Sequence, residues 1–194
     1  MIEQTPAHRP ISTPATPRQA ALARAVVELE EYVARRGWDA PVGIFALVRT
    51  AAALARDPAL AEALDDMALT DARHDPQALT VIEQEDLPAA ADLEDLLGRI
   101  AWPESVDGAA LAVERVALPP AAEREAAAIG DAEERMAFLN AHPDRQDVRM
   151  VVGVLRNGEA WCAIRSRTQD SSDRVVTGDV LVPGLIEALN ATLD

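Results

Sequence analysis

The stretch of residues 147–167 constrains the fold more than any other part of the chain. It consists of two apolar runs, 148–156 and 159–167, joined by Asn157-Gly158. Asn-Gly between such runs is the strongest short-range signal for a β-hairpin, because a two-residue type I′ turn needs positive φ at both central residues. The sequence therefore predicts an antiparallel pair of strands closed by this dipeptide.

A two-residue turn also predicts the register of the hairpin, with Leu155 opposite Ala160 and Gly153 opposite Cys162. Because side chains alternate across a sheet, one face then carries an apolar patch with arginines at its rim. This predicted binding surface, the Trp161 face, consists of Val148, Met150, Val152, Val154, Trp161, Arg156, Arg165 and Arg167. A contiguous exposed patch of this kind is rare on a soluble monomer, so we expect a second copy or a partner protein to cover it. The alternative is a second core layer under the chain's own helices.

The rest of the chain predicts one α+β domain over residues 17–194, after a disordered N-terminal arm over residues 1–16 that contains three prolines. Apolar spacing predicts helices over 16–36, 50–56, 57–64, 93–100, 121–128, 131–142 and 182–193, and strands over 42–48, 78–85 and 108–118. The segment 78–85 alternates like an edge strand, and the polar segment 65–77 predicts a loop. Together with the hairpin, these elements indicate a single mixed, largely antiparallel sheet packed by helices. We expect the helices 16–36 and 182–193 to lie on the face opposite Trp161.

Composition excludes several classes of function. The 194 residues carry a net charge of −15, and all 18 basic residues are arginines. A chain without lysine has no Schiff-base chemistry and no Walker-type phosphate loop, and its acidity argues against a nucleic-acid partner. Most of the excess charge lies in residues 57–114, where fifteen acidic residues stand against two arginines. With no apolar run of membrane length and no apolar signal-peptide region, we expect a cytoplasmic protein.

Candidate chemical residues are few. The three histidines are far apart in sequence, which argues against a metal site, and a lone buried Cys162 would behave as a small hydrophobe. Glu83, Glu85 and Asp86 form the densest acidic cluster, which is either a carboxylate pair for acid–base or cation chemistry or an exposed strand end. Glu114 lies within a predicted strand, where pairing with Arg149 or Arg165 would satisfy its charge.

Five segments carry a resemblance to a known family: 78–88, 100–103, 110–120, 142–143 and 182–189, which read ALTVIEQEDLP, IAWP, ALAVERVALPP, HP and VPGLIEAL. They resemble an uncharacterised family of actinobacterial proteins, over roughly residue 17 to the end. The resemblance implies a gene often found beside that of a PDZ-containing, Lon-like protease. It implies no catalytic residue, since these motifs mark strand and helix ends.

Two function hypotheses follow. The first is a non-enzymatic interaction, adaptor or chaperone-like module that forms a homodimer or binds a partner protein, without cofactor, metal, membrane or small-molecule substrate. The alternative is a small enzyme or ligand-binding domain that uses Glu83, Glu85 and Arg149. A deep pocket lined by these polar groups would favour the alternative.

Overall fold

A computed structural model describes residues 9–194. Within them lie the strands β1 (Arg9–Pro10), β2 (Gly43–Arg49), β3 (Leu79–Glu83), β4 (Gly108–Ala117), β5 (Gln146–Leu155), β6 (Ala160–Ser166) and β7 (Val176–Gly178). The helices are α1 (Pro17–Ala34), α2 (Thr50–Arg56), α3 (Asp66–His74), α4 (Leu93–Leu97), α5 (Pro120–Ala128), α6 (Ala132–Ala141) and α7 (Pro183–Asn190). Short 3₁₀ turns occupy Pro58–Ala63, Arg167–Gln169, Ser172–Arg174 and Ala191–Leu193.

The described strands form one sheet in the order β1-β7-β6-β5-β4-β2-β3. Neighbouring strands are antiparallel except for β1, which runs parallel to β7. The predicted fold class is confirmed: the chain is α+β, with a mixed, largely antiparallel sheet and the hairpin β5–β6 near its C-terminal end. Helices cover both faces, so the molecule has three layers.

Helix α1 lies across the middle of one face. Thr16 caps it by accepting a hydrogen bond from the backbone N–H of Gln19 at 3.0 Å, and Pro17 opens its first turn. Its buried stripe includes Leu22 and Val26, which pack over β5. A Cβ on Gly153 would lie 2.7 Å from a methyl of Val26, so glycine at this position lets the helix approach the sheet closely.

The second face is covered by α4, α7 and the C-terminal 3₁₀ turn. Leu96, Leu97, Leu189 and Leu193 pack there against the apolar side chains of β4 and β5, among them Val152. The prediction that the first and last helices share one face is therefore wrong.

The hairpin β5–β6 has a three-residue loop instead of the predicted two-residue turn. The N–H of Gly158 donates to the carbonyl of Leu155 at 2.8 Å, and the N–H of Leu155 donates to Glu159 at 2.9 Å. Gly158 has φ +85°, whereas Asn157 is not among the residues with positive φ, so the turn is not type I′. Trp161 therefore pairs with Gly153, and the register is shifted by one residue from the prediction.

A shift of one residue moves every side chain of β6 to the other face of the sheet. Trp161, which was predicted beside Val152 and Val154, is 2% exposed and packs in the core beneath α1. Cys162, which was predicted on the face of Val151, packs on the α7 side. The apolar pattern of β5 and β6 is compatible with either register, because both faces of the sheet are buried.

The predicted arm, residues 1–16, is described in part. Residues 1–8 lie outside the described residues. Beyond them, β1 pairs with β7, the N–H of Ile11 donates to Thr177 at 2.7 Å, and Ser12 accepts a hydrogen bond from Asp179 at 3.0 Å. Proline is tolerated in such an edge strand because it leaves no ladder bond unmade on its outer side. The described part of the arm thus covers the outer edge of β7.

Candidate functional site

The eight residues of the predicted Trp161 face do not form one surface. Val148, Met150, Val152 and Val154 point to the α7 side of the sheet, and both Val152 and Val154 are fully buried there. Trp161 lies on the opposite side, beneath α1. The chain's own helices therefore cover these apolar residues, which was the alternative interpretation of the pattern.

The three arginines assigned to the rim of that face stabilise three different parts of the fold. Arg156 donates to the carbonyls of Val106, at 2.8 Å, and of Trp102, at 3.1 Å, and so holds the loop before β4. Arg165 is buried and forms a bidentate ion pair with Glu30 of α1 at 2.5 and 2.8 Å. Arg167 is the exposed member, and it pairs with Asp39 at 2.8 Å. None of the three lines an open apolar patch.

The residues of the alternative hypothesis are not brought together either. Glu83 is held at 2.6 Å by Arg36, whereas Arg149 is buried and pairs with Glu114 at 2.8 Å. The predicted partnership of Glu114 with Arg149 is confirmed. Glu83 lies on β3 and Arg149 on β5, three strands across and four residues along, which is roughly 20 Å at ordinary strand spacing. Glu85 lies beyond the end of β3 and is exposed.

The remaining candidates from the sequence are Cys162 and the histidines. Burial raises the pKa of the Cys162 thiol to about 11, which keeps it protonated at neutral pH. Among residues 9–194, no group of three or more His, Cys, Asp or Glu side chains could hold a metal ion. No helix of this part of the chain is long and apolar enough to cross a membrane.

A groove of about 880 Å³ opens between α1 and α3, with β2 and β3 as its floor. Leu79 and Val81 of β3 line the floor together with Phe45 of β2. Small side chains such as Ala25 and Ala68 line the two walls. The larger lining residues are Arg24, Glu28, Leu29, Tyr32, Leu64, Asp65, Met67, Asp71, His74, Asp75 and Glu83. The groove is therefore apolar at its base and acidic along its rim.

Helix α3 forms one wall of the groove, and the sequence predicted a polar loop in its place. Asp65 caps the helix by accepting a hydrogen bond from the N–H of Ala68 at 2.7 Å. Asp66 lies in the first turn, and Arg73 and His74 lie in the last turn, where they complement the helix dipole. This N-cap and the order of charges are the sequence signals that could have identified the helix.

Strand β3 forms the edge of the sheet beside the groove. The hydrogen bonds from Gln84 to Ile44 at 2.8 Å and from Thr50 to Ala78 at 3.0 Å bracket its ladder with β2. Backbone groups alternate in direction along an antiparallel edge strand. The N–H and C=O groups of Leu79, Val81 and Glu83 therefore point away from β2, and no described residue pairs with them.

Two of the carboxylates along the rim of the groove form ion pairs with arginines of α1 and its C-terminal end. Arg24 pairs with Asp75, and Arg36 pairs with Glu83. The pairing with Arg36 lowers the pKa of Glu83, so this carboxylate stays ionised. Since Asp65 caps α3, three of the five carboxylates that line the groove have a partner within the fold.

Glu28 on α1 and Asp71 on α3 are the two remaining carboxylates. Neither side chain makes a hydrogen bond or ion pair with another described residue. Burial in the groove, followed by the nearby charge of Asp71, raises the pKa of Glu28. The two walls of the groove therefore present like charges that the fold itself leaves without a direct partner.

Exposed apolar side chains also lie along this region. Met67 of α3 is 72% exposed, and Tyr32 of α1 is 44% exposed, and both line the groove. Ile82, on the opposite face of β3, is exposed as well. The open edge strand is thus flanked by apolar surface on both of its faces.

A comparison with protein families connects this architecture to a group of relatives. A family model described as PPA1309-like protein matches residues 22–194. The chain belongs to the PPA1309-like family. The match includes β2, β3, α3 and most of α1, so every lining residue of the groove except Ala21 lies within the matched part of the chain. Comparison with curated proteins and with solved structures gives no match.

Proposed function

We propose that this member of the PPA1309-like family is an interaction module that binds an extended segment of a partner protein. The segment adds to the sheet as a strand beside β3, and its alternate side chains enter the groove between α1 and α3. The observation that carries the proposal is the outward row of backbone groups at Leu79, Val81 and Glu83 next to that groove. Main-chain hydrogen bonds supply affinity in this mode of recognition, and pockets for alternate side chains supply specificity.

The two edges of the sheet support this assignment by their contrast. The outer edge of β7 is covered by β1, whereas no described strand pairs with the outer side of β3. An unpaired edge is a ready template for another chain, and proteins usually cover or blunt such edges. An open edge beside an apolar groove fits a binding role, because the groove can hold the side chains of a strand that adds to the edge.

The resemblance to proteins encoded beside a PDZ-containing, Lon-like protease belongs to the same proposal. Proteases act on extended chains, and a module that holds an extended segment is suited to work as an adaptor beside one. The groove takes the place of the Trp161 face in the interaction hypothesis. The enzyme hypothesis loses its proposed residues, since Glu83 and Arg149 lie far apart.

The proposal is tested by selecting binders from a random nine-residue peptide library displayed on phage, with the full chain immobilised. We expect selected peptides to slow amide hydrogen exchange at Leu79, Val81 and Glu83. These amides point to solvent in the free chain, whereas the amides of Thr80 and Ile82 already lie in the ladder with β2 and serve as an internal reference.

The matched variants are Val81→Pro and Val81→Thr. Proline removes only an outward N–H and is tolerated on an edge strand, so Val81→Pro should fold and bind the selected peptides about two- to tenfold more weakly, as expected for one lost hydrogen bond of about 0.5–1.5 kcal/mol. Val81→Thr keeps the N–H and should bind like the wild type. Peptides that bind Val81→Pro unchanged, or that protect amides elsewhere, would overturn the proposal.

A further inference from the structure

We infer that the segment bound at β3 is basic, and that it places a lysine or arginine side chain between Glu28 and Asp71. This inference rests on the proposed function and identifies the chemistry of the partner. Asp65, Asp75 and Glu83 have partners within the fold, which leaves Glu28 and Asp71 as the carboxylates that face an incoming strand.

The geometry of an added strand brings one side chain to this position. Successive side chains of a strand point to opposite faces of the sheet, so every second side chain of the segment lies on the face of Leu79 and Val81, where the groove opens. Glu28 stands on the α1 wall and Asp71 on the α3 wall. A cationic side chain that enters from the edge thus meets a carboxylate on each side.

The electrostatics favour a cation at this position over a neutral group. Glu28 and Asp71 repel each other, and the raised pKa of Glu28 reflects both its burial and this repulsion. A single positive charge between them adds two attractions, which offset the repulsion between the carboxylates. The charge of Arg24, one turn before Glu28 on α1, offsets part of this rise in the pKa of Glu28, but the Arg24 guanidinium pairs with Asp75.

A second copy of the chain is a poorer occupant of the same edge. Pairing of two β3 strands would bring two acidic grooves together, in a region where residues 57–114 carry fifteen acidic residues against two arginines. Like charges placed opposite one another in an interface suppress association. The charge of the groove therefore selects a partner of opposite sign.

The probes are three synthetic peptides with one central difference: Ser-Val-Thr-Val-Lys-Val-Thr-Val-Ser and the same peptide with Gln or Glu in place of Lys. Affinity is measured by fluorescence anisotropy with the full chain at low salt. We expect the Lys peptide to bind tightest, the Gln peptide about fivefold more weakly, as for a partly exposed ion pair, and the Glu peptide more weakly still. Salt should reduce the differences.

Two matched double variants distinguish the effect of the groove's carboxylates from the effect of the net charge of the chain. Glu28→Gln/Asp71→Asn should remove the preference for Lys, whereas Glu125→Gln/Asp144→Asn removes two exposed charges outside the groove and should keep it. Amide exchange at β3 is recorded for each peptide. Equal binding of the three peptides with protection of β3 would overturn the basic preference and leave the proposed function standing. Absence of binding and protection with all three would overturn both.

Discussion

At the residue scale, burial determines how much Arg165 and Arg167 contribute to the stability of the fold. Arg165 is 4% exposed and its partner Glu30 is fully buried, so loss of the Arg165 guanidinium removes a bidentate ion pair from a carboxylate that water does not reach. The pair formed by Arg167 and Asp39 is also bidentate, but Asp39 is 73% exposed and water replaces a lost partner. Identical side chains two residues apart thus have different roles.

We predict that Arg165→Met lowers the free energy of unfolding by about 3–5 kcal/mol, because it leaves the carboxylate of Glu30 buried without its guanidinium. Arg167→Met is the matched control, and we expect a much smaller loss because that ion pair is exposed. Urea unfolding followed by far-UV circular dichroism measures both. Equal losses for the two variants would show that Glu30 has access to water in the folded chain.

Glu28 illustrates the opposite case at the same scale, a charge that folding does not favour. Its pKa is higher in the folded chain than in the unfolded chain, so the folded chain binds its proton more tightly. Stability therefore falls as the pH rises through the interval between the two pKa values. A carboxylate whose ionisation destabilises the folded chain is typical of a binding site.

At the element scale, the hairpin shows what its sequence determines and what it does not. The strands and the position of the loop follow from the local pattern around Asn157-Gly158. The register does not, because Asn-Gly also fits a three-residue loop in which only Gly158 has positive φ. The choice is made by packing: Trp161 fits beneath α1, whereas small Ala160 and Cys162 fit beneath α7.

The groove was predictable only in part, for a related reason. The alternating sequence of β3 predicts its edge position, and apolar spacing predicts a helix over residues 16–36, where α1 lies. Helix α3 was predicted as a loop because its sequence is mostly polar. Which carboxylates are free to bind a partner depends on pairs such as Arg24 with Asp75, and residues 51 positions apart in sequence give no local sign that they meet.

We predict that Gly158→Val destabilises the fold by about 1–3 kcal/mol, because a β-branched residue is strained at the φ of +85° that the loop requires. Gly130→Val is the matched control. A side chain at Gly130 also meets open space, but its φ is not in the left-handed region, so we expect almost no change in the urea midpoint. Equal effects of the two substitutions would contradict the loop geometry.

At the scale of the whole molecule, the described residues leave little surface for self-association. Helix α1 covers one face of the sheet, α4 and α7 cover the other, and β1 covers the outer edge of β7. The β3 edge stays open, with the acidic groove beside it. In the proposed interaction module, the negative charge of the groove would prevent two β3 edges from pairing with each other.

We therefore expect the isolated chain to be a monomer, with a mass near 20.8 kDa by light scattering at low salt. In this fold, Trp161→Glu would place a charge in the core, so we expect it to unfold the chain instead of separating two subunits. The informative variant is Val81→Pro. A wild-type dimer that becomes monomeric in Val81→Pro would show that β3 pairs with itself, and the acidic groove would then not exclude a second copy. A dimer unaffected by Val81→Pro would place the contact on another surface and contradict the view that the β3 edge is the open one.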